Sequence, residues 1–542
     1  MTQLPDLINL KPRLDVDHEA VFELLDLAFL GRDTGGSLEQ HLVRRPTSEV
    51  WNPDLFAHDL FLDNLLRNHF QLSFDGVDYP INRGFLRSIL TDPPTDVETV
   101  RFRQEILAEL ADDADLRERV ERLYKGLVQL ISMLRAPDHV ARLDINAHRL
   151  EIFVQLKWAV DWMAEEFGDA KSGWQRLAEA GRAIQKTEPY EIVASLIDYE
   201  RRFVSLNVNM SLGPDARVRE LSVQRVEENT GNRFYMSPFK RLLTRFRMFF
   251  GHGMLLSNRE MVNSLLHNIF IKVAPALVPL VALSGQLEFY LAALAFRKRV
   301  EGIGLAVSFA EINEDGKPFR AEKAFNPLLM GQSIVPVPTN IERSTAQGVT
   351  LLTGPNSGGK TRLLQTLGLT QILGQAGIYT PAAKAEIPLL HGMFVSLIET
   401  EAVDHAEGRL GREMMRIRSL FEGLGTPSMV ILDELCSGTN PSEGTELFSL
   451  VLELLERLGA VAFISTHFLD YAQGLEKDHP FPGLEFLQVE INEEQRSTYQ
   501  FKPGVATTSL ASVTAERLGV TFDQLSELID RRIDPAENDA KV

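Results

Sequence analysis

Cysteine is almost absent: the 542-residue chain has one, Cys436. A single thiol makes neither an intrachain disulfide nor a C-x-x-C zinc site, and such sparing use fits a reducing compartment. Positive charge is also short. Lys and Arg number 56 against 75 Asp and Glu, a formal net charge of −19. A chain this acidic is not coated in basic surface, so contact with nucleic acid would need a local basic groove. Long apolar runs are missing too. The most apolar stretch, Val273 to Ser284 (VAPALVPLVALS), is closed off by Lys272 on one side and by Gln286 and Glu288 on the other. It falls short of the roughly 20 apolar residues of a membrane span and reads as a buried helix carrying two prolines. The opening MTQLPDLINLKPRLD has no basic start followed by an apolar core, so neither an export signal nor a membrane partner is expected, and the expected location is cytoplasmic. No internal repeat or low-complexity tract is visible. What is present is ordinary globular composition, 44% hydrophobic and 24% charged, over a length that suggests about three or four domains.

The first half has helical texture. From Val97 to Leu134, from His148 to Phe167 and from Pro189 to Leu206, apolar residues recur at spacings of three and four, which predicts amphipathic helices and a packed helical scaffold. Val208 to Gly231 is rich in turn residues and predicts an irregular or short-strand element. Helix resumes near Pro238 and runs, with interruptions, to about Val300. After Gly302 short β-branched runs alternate with helical stretches. Val349–Leu352 leads into glycines, Met429–Leu432 into two acids, and Val461–Ile464 into Ser465-Thr466-His467. This alternation predicts a parallel sheet with crossover helices.

Gly354-Pro355-Asn356-Ser357-Gly358-Gly359-Lys360-Thr361 fits G-x-x-x-x-G-K-[ST] between an apolar run and a helical pattern. In that setting glycines turn backbone N–H groups toward phosphate oxygens, and the helix start adds positive dipole. Lys360 would reach the β- and γ-phosphates of ATP and Thr361 would ligate Mg²⁺. The bland alternative is a chance glycine-rich loop. Asp433 and Glu434 end an apolar strand, where the first would hold Mg²⁺ and the second would polarise the attacking water; a helix-capping acid pair is the alternative. His467 follows the next strand and is either a γ-phosphate sensor or a structural histidine. The best basic cluster is Lys240, Arg241, Arg245 and Arg247, interleaved with Phe239, Phe246, Phe249 and Phe250. It suits a DNA-binding groove, or an amphipathic helix with cations in water and rings in the core.

The runs LLTGPNSGGKTRLLQTLGLTQILGQAGIYTPA, VILDELCSGTNPSEG and FISTH resemble the ATPase domain of the MutS family, the ABC-type ATPase branch of DNA mismatch repair. The likeness extends upstream to Asn326-Pro327-Leu328-Leu329 and Val335-Pro336-Val337-Pro338, and downstream to SLASVTAERLGVTFDQLSELIDRR (Ser509 to Arg532). It implies ATP and Mg²⁺ as cofactors and a homodimer through the ATPase domains, with ATP sites completed across the interface. It also implies roles for Gly354 to Thr361 as phosphate loop, Asp433 as metal acid, Glu434 as water-polarising acid and His467 as switch. Phe325 is the candidate for holding adenine, with a buried core ring as the alternative. The family's trans-acting signature has a Ser-Thr-Phe core, whereas the matching stretch AEGRLGREM places Gly408-Arg409-Leu410 there. Arg409 either replaces the missing hydroxyl or is a surface cation. The mismatch-reading domain is not recognised; Phe309-Ala310-Glu311 matches its Phe-x-Glu wedge by spacing alone. No nuclease-like extension is expected after the closing helices, although the phosphate loop, with Thr361 directly after Lys360, is nearer to the MutS2 branch.

The expected architecture is α + α/β, a helical core/lever region followed by an ABC-type P-loop domain. The expected segments are 1–90 (helical), 91–300 (core/lever), 301–533 (ATPase with closing helices) and 534–542 (tail). The expected function is ATP-dependent conformational change of a dimer on DNA in repair or recombination control. The alternative is an ATP-driven switch on a non-DNA partner such as a ribosome or a protein complex.

Overall fold

The computed structural model describes residues 4–32, 34, 36–46, 50–135, 145–203, 206–212, 218–226, 258–314, 316–332, 334–397, 408–436, 440–494, 496–507 and 519–533. The chain divides into two compact units, 1–45 with 109–288 and 46–108 with 289–542.

The second unit is built on a six-stranded sheet. Its strands are β1 (Gly348–Thr353), β2 (Gly392–Ser396), β3 (Ser428–Leu432), β4 (Val461–Ser465), β5 (Leu484–Ile491) and β6 (Ser497–Pro503). Their order across the sheet is β2-β3-β4-β1-β5-β6, all parallel except the β5–β6 hairpin at the edge. Every residue of β1, β3 and β4 is buried, which is why the sequence shows continuous apolar runs there instead of alternation. Four helices matter below: α1 (Lys360–Gln375), α2 (Gly408–Gly423), α3 (Pro441–Leu458) and α4 (Phe522–Ile533). The local sequence of α3 explains its limits. Asn440 caps the first turn by accepting from Ser442 N, Pro441 takes the first helical position where no N–H is needed, and Gly459 ends the helix at φ +67°. Phe448, Val451, Leu452 and Leu455 of α3 close on Val349, Leu351, Val430, Leu432 and Ile464 of the sheet.

A second, mixed five-stranded sheet in this unit runs Thr339–Glu342, Arg320–Ala324, Lys384–Pro388, Ser308–Asn313, Tyr379–Thr380. The Phe309-Ala310-Glu311 triplet lies in it, with Phe309 stacked on Tyr379 at 4.6 Å. Residues 46–108 join the unit through specific polar ties. Asp59 accepts Leu397 N at 2.9 Å, Gln375 Nε2 donates to Pro94 O at 2.9 Å, and Arg103 Nη1 donates to Ala376 O at 3.0 Å.

Among its described residues the first unit is helical apart from the hairpin Leu206–Leu212/Val218–Val226, which occupies the turn-rich stretch. Its main helices are Ala114–Arg135, Ile145–Glu166, Gln175–Gln185 and Glu188–Phe203. Gly126 lets Trp158 lie against the backbone: a Cβ there would stand 1.9 Å from the indole ring. The apolar 273–284 segment belongs to one helix, Asn258–Gly302, with Pro275 and Pro279 inside. The helix expected to run with interruptions to about Val300 is thus continuous over Asn258–Gly302, and the apolar run is only its middle. Leu266–Gly302 is long and apolar enough to cross a membrane by length and composition. Leu277, Val278, Leu280, Val281 and Leu283 are nonetheless wholly buried within the protein.

Candidate functional site

The parallel strands β1 to β5 deliver their carboxyl ends to one edge of the sheet, where α/β folds place ligands. The loop from Gly354 to Gly359 leaves β1 there and enters α1. Gly354, Ser357 and Gly359 all have positive φ, +137°, +67° and +93°. A Cβ on Gly354 would stand 2.7 Å from Val489 Cγ2, so glycine is needed for close approach as well as for the turn. Lys360 is buried at 5% exposure, and its Nζ donates to Gly354 O at 2.9 Å and Pro355 O at 3.2 Å. Burial lowers the Lys360 amine below the ordinary lysine value, while Glu434 and Asp433 pull the other way.

The end of β3, one strand beyond β4, supplies the acids. Asp433 follows β3 and accepts from Thr361 Oγ1 at 2.5 Å through one oxygen and from Ser465 Oγ through the other. A hydroxyl and a carboxylate converge here from α1 and β3, the hard oxygen donors that Mg²⁺ takes; these residues fit that ion. Glu434 sits at φ +54°, a conformation that costs a non-glycine residue about 1–3 kcal/mol. Its N–H donates to Ser465 Oγ at 2.8 Å and its Oε1 meets His467 Nε2 at 2.5 Å. Lys360, Thr361, Asp433, Glu434 and His467, read from separate motifs, thus occupy one site.

Other expected residues fall elsewhere. Phe325 is 1% exposed, with its N–H on Pro381 O, so its ring belongs to the core. Its neighbour Asn326 instead anchors α1, donating to Arg362 O at 3.1 Å and Gln365 Oε1 at 2.9 Å. Gly408 and Arg409 form the first turn of α2. Lys240, Arg241, Arg245 and Arg247 lie outside the described residues, as do the 534–542 tail and the start of the closing segment.

Two residues at the site were given no role by the sequence reading. Ser465, inside the FISTH run and last in β4, bridges Asp433 and Glu434. Tyr499, on β6, stands over the phosphate loop: a Cβ on Gly359 would lie 3.2 Å from its ring. Its side is half exposed and its φ is +58°. Ser497 Oγ ties the same hairpin to Gly358 O at 3.2 Å, and Gln500 Nε2 ties it to Pro338 O at 2.9 Å.

A glycine-rich loop joins a parallel strand to a helix, and two adjacent acids follow another strand of the same sheet, an α/β arrangement. Residues 350–536 match MutS domain V. Proteins named endonuclease MutS2 are similar to part of the chain. That of Thermomicrobium roseum is 32% identical over 220 residues, 39% of this chain and 27% of the relative. That of Caldanaerobacter subterraneus is 32% identical over 252 residues, 46% and 30%. That of Thermus thermophilus is 30% identical over 218 residues, 39% and 27%. Over this domain the chain is similar to the MutS family, and the relatives it resembles are of the MutS2 branch. It spans less than a third of the length of these relatives.

Proposed function

We propose that the protein binds and hydrolyses ATP at the β1–α1 loop and uses site occupancy to change the arrangement of a homodimer on DNA. The observation that carries this reading is the meeting of Lys360, Thr361, Asp433, Glu434 and His467 at one sheet edge. Lys360 exchanges its loop carbonyls for the β- and γ-phosphates. Thr361 and Asp433 would hold Mg²⁺, which when bound neutralises phosphate charge. Glu434 orients the attacking water and accepts its proton, with His467 holding the carboxylate and facing the γ-phosphate. Tyr499, not Phe325, offers a half-exposed ring for the base, beside the Val335–Pro338 segment. Self-association is supported by the exposed apolar residues of α4, Phe522, Leu525, Leu528 and Ile529. DNA as the partner rests on the similarity of residues 350–536 to MutS domain V, and the net charge of −19 favours keeping a ribosome or protein complex as the second reading.

Lys360→Ala is expected to abolish tight ATP binding. Glu434→Gln is expected to keep binding and lower turnover by roughly 10²–10⁴-fold. Equal turnover in Glu434→Gln and wild type would remove Glu434 from its role. Retention of the Glu434→Gln protein on immobilised DNA, with and without ATP, separates the two partner readings: ATP-dependent retention supports DNA, and none at either condition favours the second.

A further inference from the structure

Helix α2 carries two groups three residues apart, hence on one face. Arg416 Nη2 donates to Asp59 Oδ2 at 2.8 Å and to Val395 O at 3.1 Å, pinning α2 to the end of β2. Nearer the helix start, Glu413 Oε1 accepts the backbone N–H of Cys436 at 2.5 Å. Cys436 lies two residues beyond Glu434, and both have left-handed backbones, φ +59° and +54°. Ser465 Oγ holds the first end of this turn through Glu434 N–H. Gly444 of α3 closes on the other: a Cβ there would stand 3.1 Å from Cys436 O. Among these three holds, only Glu413 comes from α2, the helix that starts at Gly408-Arg409.

The bond is not what keeps α2 on the sheet. Leu420 is wholly buried in the core, with Ile417 and Phe421 packed against it, and apolar contact of that kind already seats the helix. What the carboxylate adds is direction at one amide. A charged acceptor makes a strong bond to a backbone N–H, and without it a buried donor is left unpaired, so the turn gains by relaxing.

We propose that Glu413 is a positioning residue for ATP hydrolysis: its carboxylate fixes the Cys436 amide, holds the Glu434 turn in its left-handed form, and makes the aim of Glu434 depend on where α2 lies. This rests on the hydrolysis reading above. Glu413 has no contact with substrate in this role; it acts through the turn.

Three variants test it. Glu413→Ala removes the acceptor, whereas Glu413→Gln removes the charge and keeps an oxygen at the same reach. Glu413→Ala is expected to lower kcat for MgATP by about 10–100-fold with KM within about twofold of wild type, since displacement of a catalytic group of about 1 Å has that scale of effect. Glu413→Gln is expected to retain kcat within about threefold. A second readout does not need hydrolysis. Cys436 is the one cysteine of the chain, and burial, reinforced by Glu413, pushes its thiol up to about 12. Iodoacetamide therefore reports on this turn against a slow background. Glu413→Ala is expected to alkylate about tenfold faster than Glu413→Gln, through local opening, although both have lost the same charge. Equal kcat in Glu413→Ala and wild type overturns the proposal. So does an equal loss in the Ala and Gln variants, which would make charge the cause, or a change confined to KM. If Glu413→Ala does not fold, Glu413→Asp, one methylene shorter, carries the same expectations. A wild-type protein without ATP turnover defeats the hydrolysis reading instead, and the alkylation contrast then decides whether Glu413 holds the turn.

Discussion

At the scale of single residues, Lys360 is a cation held in reserve. Its amine rests on two carbonyls of its own loop, inside the protein. Burial lowers its pKa from the ordinary 10.5, with Glu434 and Asp433 opposing. A triphosphate replaces neutral carbonyls with anionic oxygens and raises it again. The sign follows: between the free and bound values the complex holds a proton that the free protein has released. ATP binding is therefore expected to take up a proton at alkaline pH and none at neutral pH, with affinity falling as pH rises through the free-protein value. Calorimetry at pH 9–10 in two buffers of different ionisation enthalpy measures this directly. Heats that do not depend on the buffer anywhere in that range would mean that Lys360 does not titrate on binding.

Among elements, the crowded contact is between α3 and the Glu434 turn. A Cβ at Gly444 would meet Phe468 Cζ at 2.8 Å and Cys436 O at 3.1 Å. Gly444→Ala is expected to destabilise the protein by about 1–3 kcal/mol, the usual cost of overpacking, and to lower turnover as the turn is pushed. Urea melts with an unchanged slope and a lower midpoint would report the first effect; a midpoint at or above wild type would contradict it. This glycine also shows how much the sequence makes legible. The strands β1, β3 and β4 and the start of α1 were readable because each is coded locally, by an apolar run or a glycine turn. The phosphate loop and its acids were readable because motifs stand at strand ends. Tyr499, Ser465 and the Glu413–Cys436 bond were not, since each depends on contacts between separated segments that leave no spacing signal. The helix expected to reach about Val300 was read with interruptions because its two prolines look like stops, but Asn258–Gly302 is continuous, since burial overrides them.

For the whole molecule, a site completed by a second copy predicts that turnover per subunit rises with protein concentration until the dimer saturates. Sedimentation of Glu434→Gln with ATP is expected to show at least a dimer; a strictly monomeric protein at full activity would exclude the shared site. The chain order has its own consequence. Residues 46–108 belong to the compact unit completed by 289–542, although about 180 residues of the other unit lie between them. On a ribosome extending by roughly 5–20 residues per second, the earlier segment leaves the exit tunnel about 20–80 s before the last strand of its unit's six-stranded sheet, Ser497–Pro503, has followed. During that interval Leu60, Leu65, Leu66, Phe85 and Ile89, all buried in the finished protein, have no sheet to cover them. The nascent chain is thus a natural client for holding factors, and its yield in a cell is expected to depend on them more than its final stability would suggest.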